Sequence, residues 1–325
     1  MKIAILEPGA WGTALGILLS RKNAISFWYE NPTFSAKLSN FRENEKLPGI
    51  KIPKKIFISP NLEKAIEDTD LIIVASPSFN FRKALRHLKR FKKLPPLLGI
   101  AKGIEKETLK IPSQIVEEVF PKISYAHLSG PGFAREIIRG KLAKEVIASK
   151  DKSLLEKLKE LFKIKNLQIS TTTDLIGVQL AGAFKNALAI GISLVEAKSQ
   201  SPKTEKLIQL GLEEMIKIGK VMGAKKETFL GPAGLGDLIL TSTNPLSRNF
   251  QFGQSLYSNA EKMRKEIKER KITVEGFNNV FALYKLGKIY KLDLPMINEI
   301  YKVIYKKTSP EKTIKNLIAL TNEIS

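Results

Sequence analysis

The first half of the chain alternates short apolar runs with amphipathic segments. The runs are rich in β-branched and aromatic residues, as strands are, and they read KIAIL (2–6), AISFWYE (24–30), IFIS (56–59), LIIVAS (71–76), LLGIA (97–101), SYAHLS (124–129), EVIAS (145–149) and LQIST (167–171). Segments with helical spacing, such as WGTALGILLSRK and SFNFRKALRHLKRF, separate several of them. Continuous apolar runs joined by helices predict a mostly parallel sheet covered on both faces, with the last two runs as edge strands.

A different pattern begins near residue 174, where the strand-like runs stop. LIGVQLAGAFKNALAIGISLVEAKS predicts a long apolar helix, PKTEKLIQLGLEEMIKIGKVMG predicts a second, and helical spacing continues to the C-terminus. A chain of 325 residues is also long for one hydrophobic core. We therefore predict an α/β domain over residues 1–178 and an all-α domain over residues 179–325, with ligands at the carboxyl ends of the strands.

The turn after the first predicted strand, LEPGAWG, keeps two of the three glycines of the G-x-G-x-x-G dinucleotide fingerprint. Gly9 would let the backbone approach a pyrophosphate at the helix N-terminus, and Gly12 would let the helix pack closely on the sheet. Glu30 follows about twenty residues on, where a carboxylate accepts the ribose 2′-OH of NAD and repels the 2′-phosphate of NADP. This context predicts a Rossmann-like, doubly wound domain that prefers NAD(H) while also admitting NADP(H).

Glu7 stands where the fingerprint has its first glycine, and it raises a difficulty. That glycine usually makes a tight turn, and a carboxylate close to a pyrophosphate is repulsive. Two arrangements would keep the site: the side chain points away from the phosphates, or the turn uses angles that L-residues tolerate. Pro8 favours extended geometry at the residue before it, so we expect the first strand to continue through Glu7.

Lys185 is the single charge in the apolar stretch GVQLAGAFKNALAIG. Burial of an unpaired ammonium is costly and favours the neutral amine, as suits a lysine that acts as an acid/base. The alternative is a lysine that reaches solvent or pairs with a structural acid. The chain has two histidines, and we expect His87 on a basic helix face at the surface and His127 packed inside a strand. Lysine chemistry is therefore the favoured route for proton transfer.

The stretch GPAGLGDLILTSTNPLSRNFQFG is punctuated by glycines and carries several polar groups. Asp237 opens an apolar turn, and Ser247, Arg248 and Asn249 offer a hydroxyl, a guanidinium and an amide in a row. Such a cluster can bind a phosphate, because Arg supplies two donors in a fork. An ordinary polar loop would have the same composition.

Lysine and arginine total 54 against 32 acidic residues, a formal net charge of +22 that attracts anions. A nucleic-acid-binding protein is one alternative, but the basic residues are spread over the polar faces of many helical segments without interleaved aromatics or zinc spacing. Cysteine is absent, which excludes disulfides and thiolate chemistry. We expect a cytoplasmic protein without a leader, a metal site, bound nucleic acid or stable membrane insertion.

Taken together, the motifs resemble the bacterial type of NAD(P)-dependent glycerol-3-phosphate dehydrogenase. The matching stretches occur in the order PGAWGTALG, AKGIE, SGPGFARE, GVQLAGAFKNALAIG, GPAGLGDLILT, SRNFQFG and VEGF. AFKN and AGLGDLILT are the specific blocks, and the resemblance covers nearly the whole chain. It implies the reversible reduction of dihydroxyacetone phosphate to sn-glycerol 3-phosphate, a precursor of glycerophospholipids, by a homodimer.

The resemblance also implies roles for individual residues. Lys185 would be the general acid/base, Lys102 would stabilise developing negative charge, and Asp237 would position Lys185. The implied cofactor-binding residues are Gly9, Ala10, Trp11, Gly12, Glu30, Lys102, Ala134, Arg248, Thr273 and Glu275. The implied substrate-binding residues are Lys102, Gly130, Gly132, Lys185, Asp237, Ser247, Arg248 and Asn249.

Besides Glu7, two positions depart from the family pattern. Glu30 stands where the family commonly has an arginine that meets the NADP 2′-phosphate, which argues for NADH. Gly132 stands where Ser or Thr is usual, and the loss of that hydroxyl would weaken substrate binding by about 1 kcal/mol. The alternatives are a related two-domain dehydrogenase for another hydroxy or keto acid, and a basic nucleic-acid-binding descendant without activity.

Overall fold

The computed structural model describes residues 1–198, 203–269 and 272–322. The chain forms two compact units. The first contains Met1–Ala101 and Pro112–Leu175, and the second contains Lys102–Ile111 and Ile176–Ser325. The short segment Lys102–Ile111 thus groups with the C-terminal part of the chain, which the hydrophobic pattern does not indicate. All of the predicted strands lie in the first unit, and so does the glycine-containing turn after the first of them.

The first unit contains one eight-stranded sheet. Its strands are β1 (Lys2–Leu6), β2 (Ala24–Trp28), β3 (Phe57–Ser59), β4 (Leu71–Val74), β5 (Leu97–Gly99), β6 (Tyr125–Ser129), β7 (Ala143–Ser149) and β8 (Leu167–Thr172). They lie in the order β3-β2-β1-β4-β5-β6-β7-β8. Every neighbouring pair is parallel except β6 and β7. The predicted doubly wound, mostly parallel sheet is therefore confirmed.

The prediction that the seventh run is an edge strand is wrong. β7 pairs with β6 on one side and with β8 on the other, so only the eighth run lies at that edge. The reason is visible in its burial: five consecutive residues, from Glu145 to Ser149, are all buried. A strand buried on both faces and paired on both sides is interior whatever charge stands near its start.

The helices of the first unit are α1 (Ala10–Leu19), α2 (Pro32–Phe41), α3 (Leu62–Ile66), α4 (Ser78–Leu88), α5 (Pro112–Val119), α6 (Ala134–Ile138) and α7 (Lys152–Leu161). Side chains of Asn31, Asn61 and Asp151 accept a backbone N–H bond at the starts of α2, α3 and α7, as N-cap residues do. The order of the sheet reverses between β1 and β4, and this switch point places a crevice at the carboxyl ends of both strands.

The second unit is helical. Its helices are α8 (Leu175–Lys198), α9 (Lys203–Val221), α10 (Lys226–Leu230), α11 (Asp237–Ser242), α12 (Arg248–Lys268), α13 (Glu275–Ile289), α14 (Pro295–Tyr305) and α15 (Pro310–Leu320), with a π-helical turn at Pro232–Gly236. No strand follows Thr172 in the described residues, which confirms the all-α C-terminal region. Pro202, where the second long helix is predicted to begin, lies outside the described residues.

Helix α8 is the central core element of this unit. Among the described helices it alone is long and apolar enough to cross a membrane, but 94% of its most apolar 18-residue window is buried inside the protein. Phe184, Leu188 and Ile192 are fully buried in the hydrophobic core of this unit. A helix that is apolar on every side and covered by neighbouring helices has the composition of a core helix.

Candidate active site

A buried carboxylate between two lysines forms the chemical centre of the second unit. Asp237 begins α11, directly after the π-helical turn, and is 1% exposed. Any side chain at Gly234 in that turn would collide with the carbonyl group of Phe229, so the turn depends on a glycine there. Single π-helical turns often occur at functional sites, where they re-aim the side chain that follows.

Lys185 and Lys102 both contact this carboxylate. Lys185 Nζ lies 3.0 Å from Asp237 Oδ1 and donates to Thr241 Oγ1 at 2.9 Å. Lys102 Nζ lies 2.7 Å from Asp237 Oδ2. The structure thus brings together the three residues proposed for catalysis, and it adds Thr241, which the sequence did not indicate. Lys185 therefore has an acid within hydrogen-bond distance, and this acid is the Asp237 that the resemblance implies as its positioning partner.

The two lysines determine the charge of Asp237. Burial alone would raise the pKa of this carboxyl, but the Lys102 and Lys185 ammonium groups outweigh that effect and hold the pKa below its usual range. The carboxylate is therefore ionised, and the cluster has one positive charge in excess when both lysines are protonated. Such a cluster can hold two ammonium groups in place and stabilise negative charge that develops beside them.

Buried asparagines hold the backbone of the Lys102 segment. Asn186 and Asn279 donate to the Lys102 carbonyl oxygen at 3.0 and 3.1 Å. Asn279 also donates to the Ala183 carbonyl at 3.0 Å and accepts from the Ile104 N–H at 3.1 Å. Neither asparagine stood out in the sequence, since amides in helices usually face solvent. Their place in the AFKN block and after VEGF was the available signal.

The Ser-Arg-Asn cluster lies at the start of α12, which is kinked at Asn259, where the backbone is not helical. Ser247 is the N-cap and accepts from the Phe250 N–H at 3.2 Å. Asn249 is bound on both sides, because its amide nitrogen donates to Asn186 Oδ1 at 2.8 Å and its oxygen accepts from the Gly276 N–H at 3.0 Å.

Arg248 differs from its two neighbours, because it is exposed and donates to the Thr273 carbonyl at 3.3 Å. A guanidinium beside the N-terminus of a long helix can bind an anion together with the helix N–H groups. The side chains of Ser247 and Asn249 thus bond to nearby protein groups. Arg248 is the exposed, charged side chain of the three.

In the first unit, the loop between β1 and α1 has the form of a dinucleotide-binding turn. A Cβ atom at Gly9 would meet nothing within 4 Å, so this position is open to a ligand. At Gly12 it would lie 2.7 Å from Ala75 Cβ, which confirms that this glycine allows close packing of α1 on the sheet. The Pro8 carbonyl in the turn accepts from Tyr29 Oη at 2.8 Å and from the Asn44 amide at 3.1 Å.

Glu7 takes a left-handed backbone conformation with φ of 53°, so the expectation of a continued, extended strand is wrong. This is a conformation that glycine adopts freely and that costs other residues about 1 kcal/mol. Two hydrogen bonds accompany it: the Glu7 N–H donates to Trp28 O at 2.8 Å, and Glu7 Oε1 accepts from the Glu30 N–H at 2.6 Å. Burial raises the pKa of Glu7, although the bond from Glu30 opposes this.

Gly132 fits its surroundings only without a side chain. A Cβ atom there would lie 2.7 Å from Ile137 Cδ1 and 2.9 Å from Glu145 Oε1. Glu145 is 1% exposed and lies on β7. The backbone of Gly132 is used, because its carbonyl accepts from Trp11 Nε1 at 2.9 Å. The carboxylate of Glu145 thus takes the space that a serine or threonine would need, and the sequence pattern did not single it out.

Glu30, beyond the carboxyl end of β2, has a lysine and a histidine as neighbours. Lys83 Nζ lies 2.6 Å from Glu30 Oε2, and His87 Nε2 lies 3.3 Å from Glu30 Oε1. The hydrogen bond from Lys83 is the main reason that the pKa of Glu30 is lowered. His87 also packs edge-on against Trp28, with ring centroids 5.2 Å apart, so it is half-buried and not a free surface residue.

The remaining predicted positions lie at strand interiors and helix starts of the fold. His127 is fully buried, and its Nδ1 lies 2.8 Å from Tyr125 Oη, which confirms a packed histidine. Ala10 begins α1, Ala134 begins α6 and Glu275 begins α13. The described residues contain no group of three or more His, Cys, Asp or Glu side chains that could hold a metal ion.

Comparisons with known proteins agree with this arrangement. The model of the NAD-dependent glycerol-3-phosphate dehydrogenase N-terminus matches residues 2–155, and the model of its C-terminus matches residues 174–315. The chain is 34% identical over 322 residues to a glycerol-3-phosphate dehydrogenase [NAD(P)+] of Nitrosomonas eutropha, covering 98% of this chain and 97% of the relative. A Thermoanaerobacter relative of the same name is 32% identical over 98% of this chain and 97% of its own.

Solved structures give the same result. The crystal structure of glycerol-3-phosphate dehydrogenase from Coxiella burnetii has a TM-score of 0.92 and 27% identity, and the match covers 98% of each chain. A D-mandelate dehydrogenase shares the fold at a TM-score of 0.65 and 16% identity. Neither alternative, a dehydrogenase for another hydroxy or keto acid or a nucleic-acid-binding descendant, is favoured by the family models and relatives. The chain therefore belongs to the NAD-dependent glycerol-3-phosphate dehydrogenase family.

Proposed function

We propose that this protein interconverts dihydroxyacetone phosphate and sn-glycerol 3-phosphate with NAD(H) as the preferred cofactor and NADP(H) as a second one. The observation that carries the proposal is the buried cluster of Lys102, Asp237 and Lys185 in a member of this family. The printed names of its relatives point to glycerol 3-phosphate and NAD(P)+. The product would serve glycerophospholipid synthesis.

Lys185 is the proposed general acid/base. When bound, a reduced nicotinamide supplies a hydride to the C2 carbonyl carbon of the substrate. The electron pair of the C=O bond moves to oxygen, and the Lys185 ammonium donates the proton that completes the alcohol. In the reverse direction, neutral Lys185 takes the proton from the alcohol. Asp237 and Thr241, at 3.0 and 2.9 Å, orient the amine for both directions.

Lys102 is the proposed electrostatic partner. Its ammonium shares Asp237 with Lys185, and its backbone is held by Asn186 and Asn279. A positive charge held in advance stabilises a developing alkoxide without reorganisation at the moment of reaction. In this proposal, Lys102 stabilises the negative charge on the substrate oxygen, and Lys185 transfers the proton.

Arg248 and the start of α12 are proposed to take the substrate phosphate. The guanidinium is exposed and its direction is restrained by the bond to Thr273 O. The remaining assignments follow the resemblance: Gly130, Gly132, Ser247 and Asn249 are proposed to line the substrate site through backbone groups or local structure, and Ala10, Trp11, Ala134, Thr273 and Glu275 to line the cofactor site.

The residues of the first unit suit a dinucleotide. Gly9 is open, the N-terminus of α1 follows it, and Glu30 stands where the ribose carboxylate is expected. We therefore propose that residues 1–178 form the dinucleotide-binding domain and residues 179–325 the helical substrate-binding and catalytic domain, with which the Lys102 segment groups. A cytoplasmic homodimer is the proposed state, and light scattering of the purified protein tests the dimer.

Spectrophotometry of reduced nicotinamide tests the activity directly. The purified full chain is mixed with dihydroxyacetone phosphate and NADH or NADPH, and we expect oxidation of both with faster turnover of NADH. Dihydroxyacetone without its phosphate and a panel of keto acids are the controls. No oxidation of either cofactor with the phosphorylated substrate would refute the function, and faster turnover of NADPH would refute the preference.

A further inference from the structure

Four titratable side chains gather at the carboxyl end of β2, all in the first unit. We call Glu7, Glu30, Lys83 and His87 the ribose-end cluster. The two acids come from the turn after β1 and from the end of β2, and the two bases come from α4. The sequence indicated Glu30 as a ribose-binding acid, but it did not indicate that α4 supplies positive charge to the same place.

The contacts within the cluster engage both oxygens of Glu30. Lys83 Nζ lies 2.6 Å from one oxygen and His87 Nε2 lies 3.3 Å from the other. The backbone N–H of Glu30 donates to Glu7 Oε1 at 2.6 Å, which ties the cluster to the dinucleotide-binding turn. The positive charges of Lys46 and Lys83 both act to lower the pKa of Glu7. The acid that should reject a 2′-phosphate therefore has a lysine as counter-ion.

A carboxylate that is paired with a lysine should discriminate less strongly against NADP(H) than an unpaired carboxylate does. An unpaired carboxylate repels the 2′-phosphate of NADP(H) and thereby excludes it. Here the Lys83 side chain is 59% exposed and Glu30 is 43% exposed, so solvent reaches both partners. An exposed ion pair contributes little free energy, and it opens readily when a stronger partner arrives. A phosphate dianion is a stronger partner for an ammonium than a solvated carboxylate is.

We propose that Lys83 is a cofactor-specificity residue. With NAD(H), Lys83 stays paired with Glu30, which keeps acceptor positions for the ribose hydroxyls. With NADP(H), the Lys83 ammonium leaves Glu30 and binds the 2′-phosphate. The chain thereby keeps its preference for NAD(H) and still uses NADP(H). This inference rests on the proposed function, since it assumes that the turn after β1 binds a dinucleotide.

Cofactor binding without substrate tests the proposal. Trp11 and Trp28 are the two tryptophans of the chain, and both lie near the site, so quenching of their fluorescence reports the Kd of NADH and NADPH. In Lys83→Met we expect the Kd of NADPH to rise about tenfold, as for the loss of one charge-assisted hydrogen bond, and the Kd of NADH to change by less than about twofold. Lys89→Met is the matched control, because Lys89 is an exposed lysine at the end of the same helix. It should leave both constants unchanged.

Glu30→Gln provides a second, independent variant. It removes the negative charge but keeps a hydrogen-bonding group, so the Kd of NADPH should fall about tenfold. Adding Lys83→Met to Glu30→Gln should raise the Kd of NADPH again, because the proposed phosphate contact does not require Glu30. An effect of Lys83→Met that is equal for both cofactors, or absent, would show an ordinary surface ion pair and overturn the inference. Binding of neither cofactor to the wild type would overturn the proposed function as well.

Discussion

Two clusters in this protein pair carboxylates with lysines, and they differ in how far water reaches them. In the second unit, the Asp237 side chain is 2% exposed between Lys102 and Lys185. In the first unit, Glu30 and Lys83 are 43% and 59% exposed. Water screens the exposed pair, whereas each member of the buried cluster depends on the others. Carboxylates and lysines thus form a largely buried cluster in one unit and an exposed, screened pair in the other.

A third carboxylate separates the effect of burial from the effect of a partner. Glu214, on α9, is fully buried like Asp237, but its oxygens accept backbone N–H bonds from Met296 and Ile297, at 2.6 and 3.1 Å. Burial raises the pKa of Glu214 to about 7, although these bonds oppose it. The pKa of Asp237 is lowered instead. Two nearby ammonium groups therefore reverse what burial alone does to a carboxyl group.

The largest effect is expected at Lys185. In Lys185→Ala the proton donor is lost, and we expect kcat to fall by about 10²–10⁴-fold. The Kd of NADH, measured by tryptophan fluorescence, should stay within about twofold, because the dinucleotide turn belongs to the first unit. Lys198→Ala, an exposed lysine on the same helix, is the control and should keep full activity. Retention of more than about a tenth of kcat in Lys185→Ala would contradict the acid/base role.

The comparison of buried and exposed pairs predicts unequal stability effects. Asp237→Asn leaves the buried Lys185 and the partly buried Lys102 without their carboxylate, and we expect the free energy of unfolding to fall by about 3 kcal/mol. Glu30→Gln removes an exposed partner and should lower it by less than about 1 kcal/mol. Urea unfolding followed by circular dichroism measures both. Equal losses in the two variants would show that burial does not separate the clusters.

The raised pKa of Glu214 should make the free energy of unfolding depend on pH. Its folded pKa of about 7 lies above its ordinary value of 4.5, so the folded state binds the proton more tightly. This contribution is present below pH 4.5 and is lost as the pH rises through 7, a change of roughly 3 kcal/mol. Glu214→Gln, measured by urea unfolding at acidic and at mildly alkaline pH, should lack this part of the decline. A parallel decline in variant and wild type would assign the pH dependence to other groups.

Much of the fold followed from local patterns. Eight apolar runs predicted eight strands, because continuous burial on both faces leaves a continuous apolar sequence. The position of β7 did not follow, since strand order depends on pairing between distant segments. The extended conformation expected at Glu7 was also wrong, because the preference set by Pro8 is weaker than the hydrogen bonds that hold the turn.

The residues of the candidate site also divide into those that the sequence indicated and those that it did not. Lys102, Lys185 and Asp237 were found through motifs, and in the structure both lysines contact Asp237. Asn279, Thr241 and Lys83 were missed, because each acquires its role only from a distant partner, although Thr241 ends the AGLGDLILT block. Glu145 was missed for a related reason. Its carboxylate occupies space that is free only because Gly132 has no side chain.

The sequence by itself determined the kinds of element, the change from α/β to all-α and the residue types available for chemistry. These depend on local spacing and on burial, and both can be predicted from the order of apolar and polar residues along the chain. Only the tertiary structure decided which charges meet. Lys185 acquires a carboxylate 52 positions away and Glu30 acquires a lysine 53 positions away. The protonation and mobility of a charged group depend on its neighbours in space, and no local pattern records them.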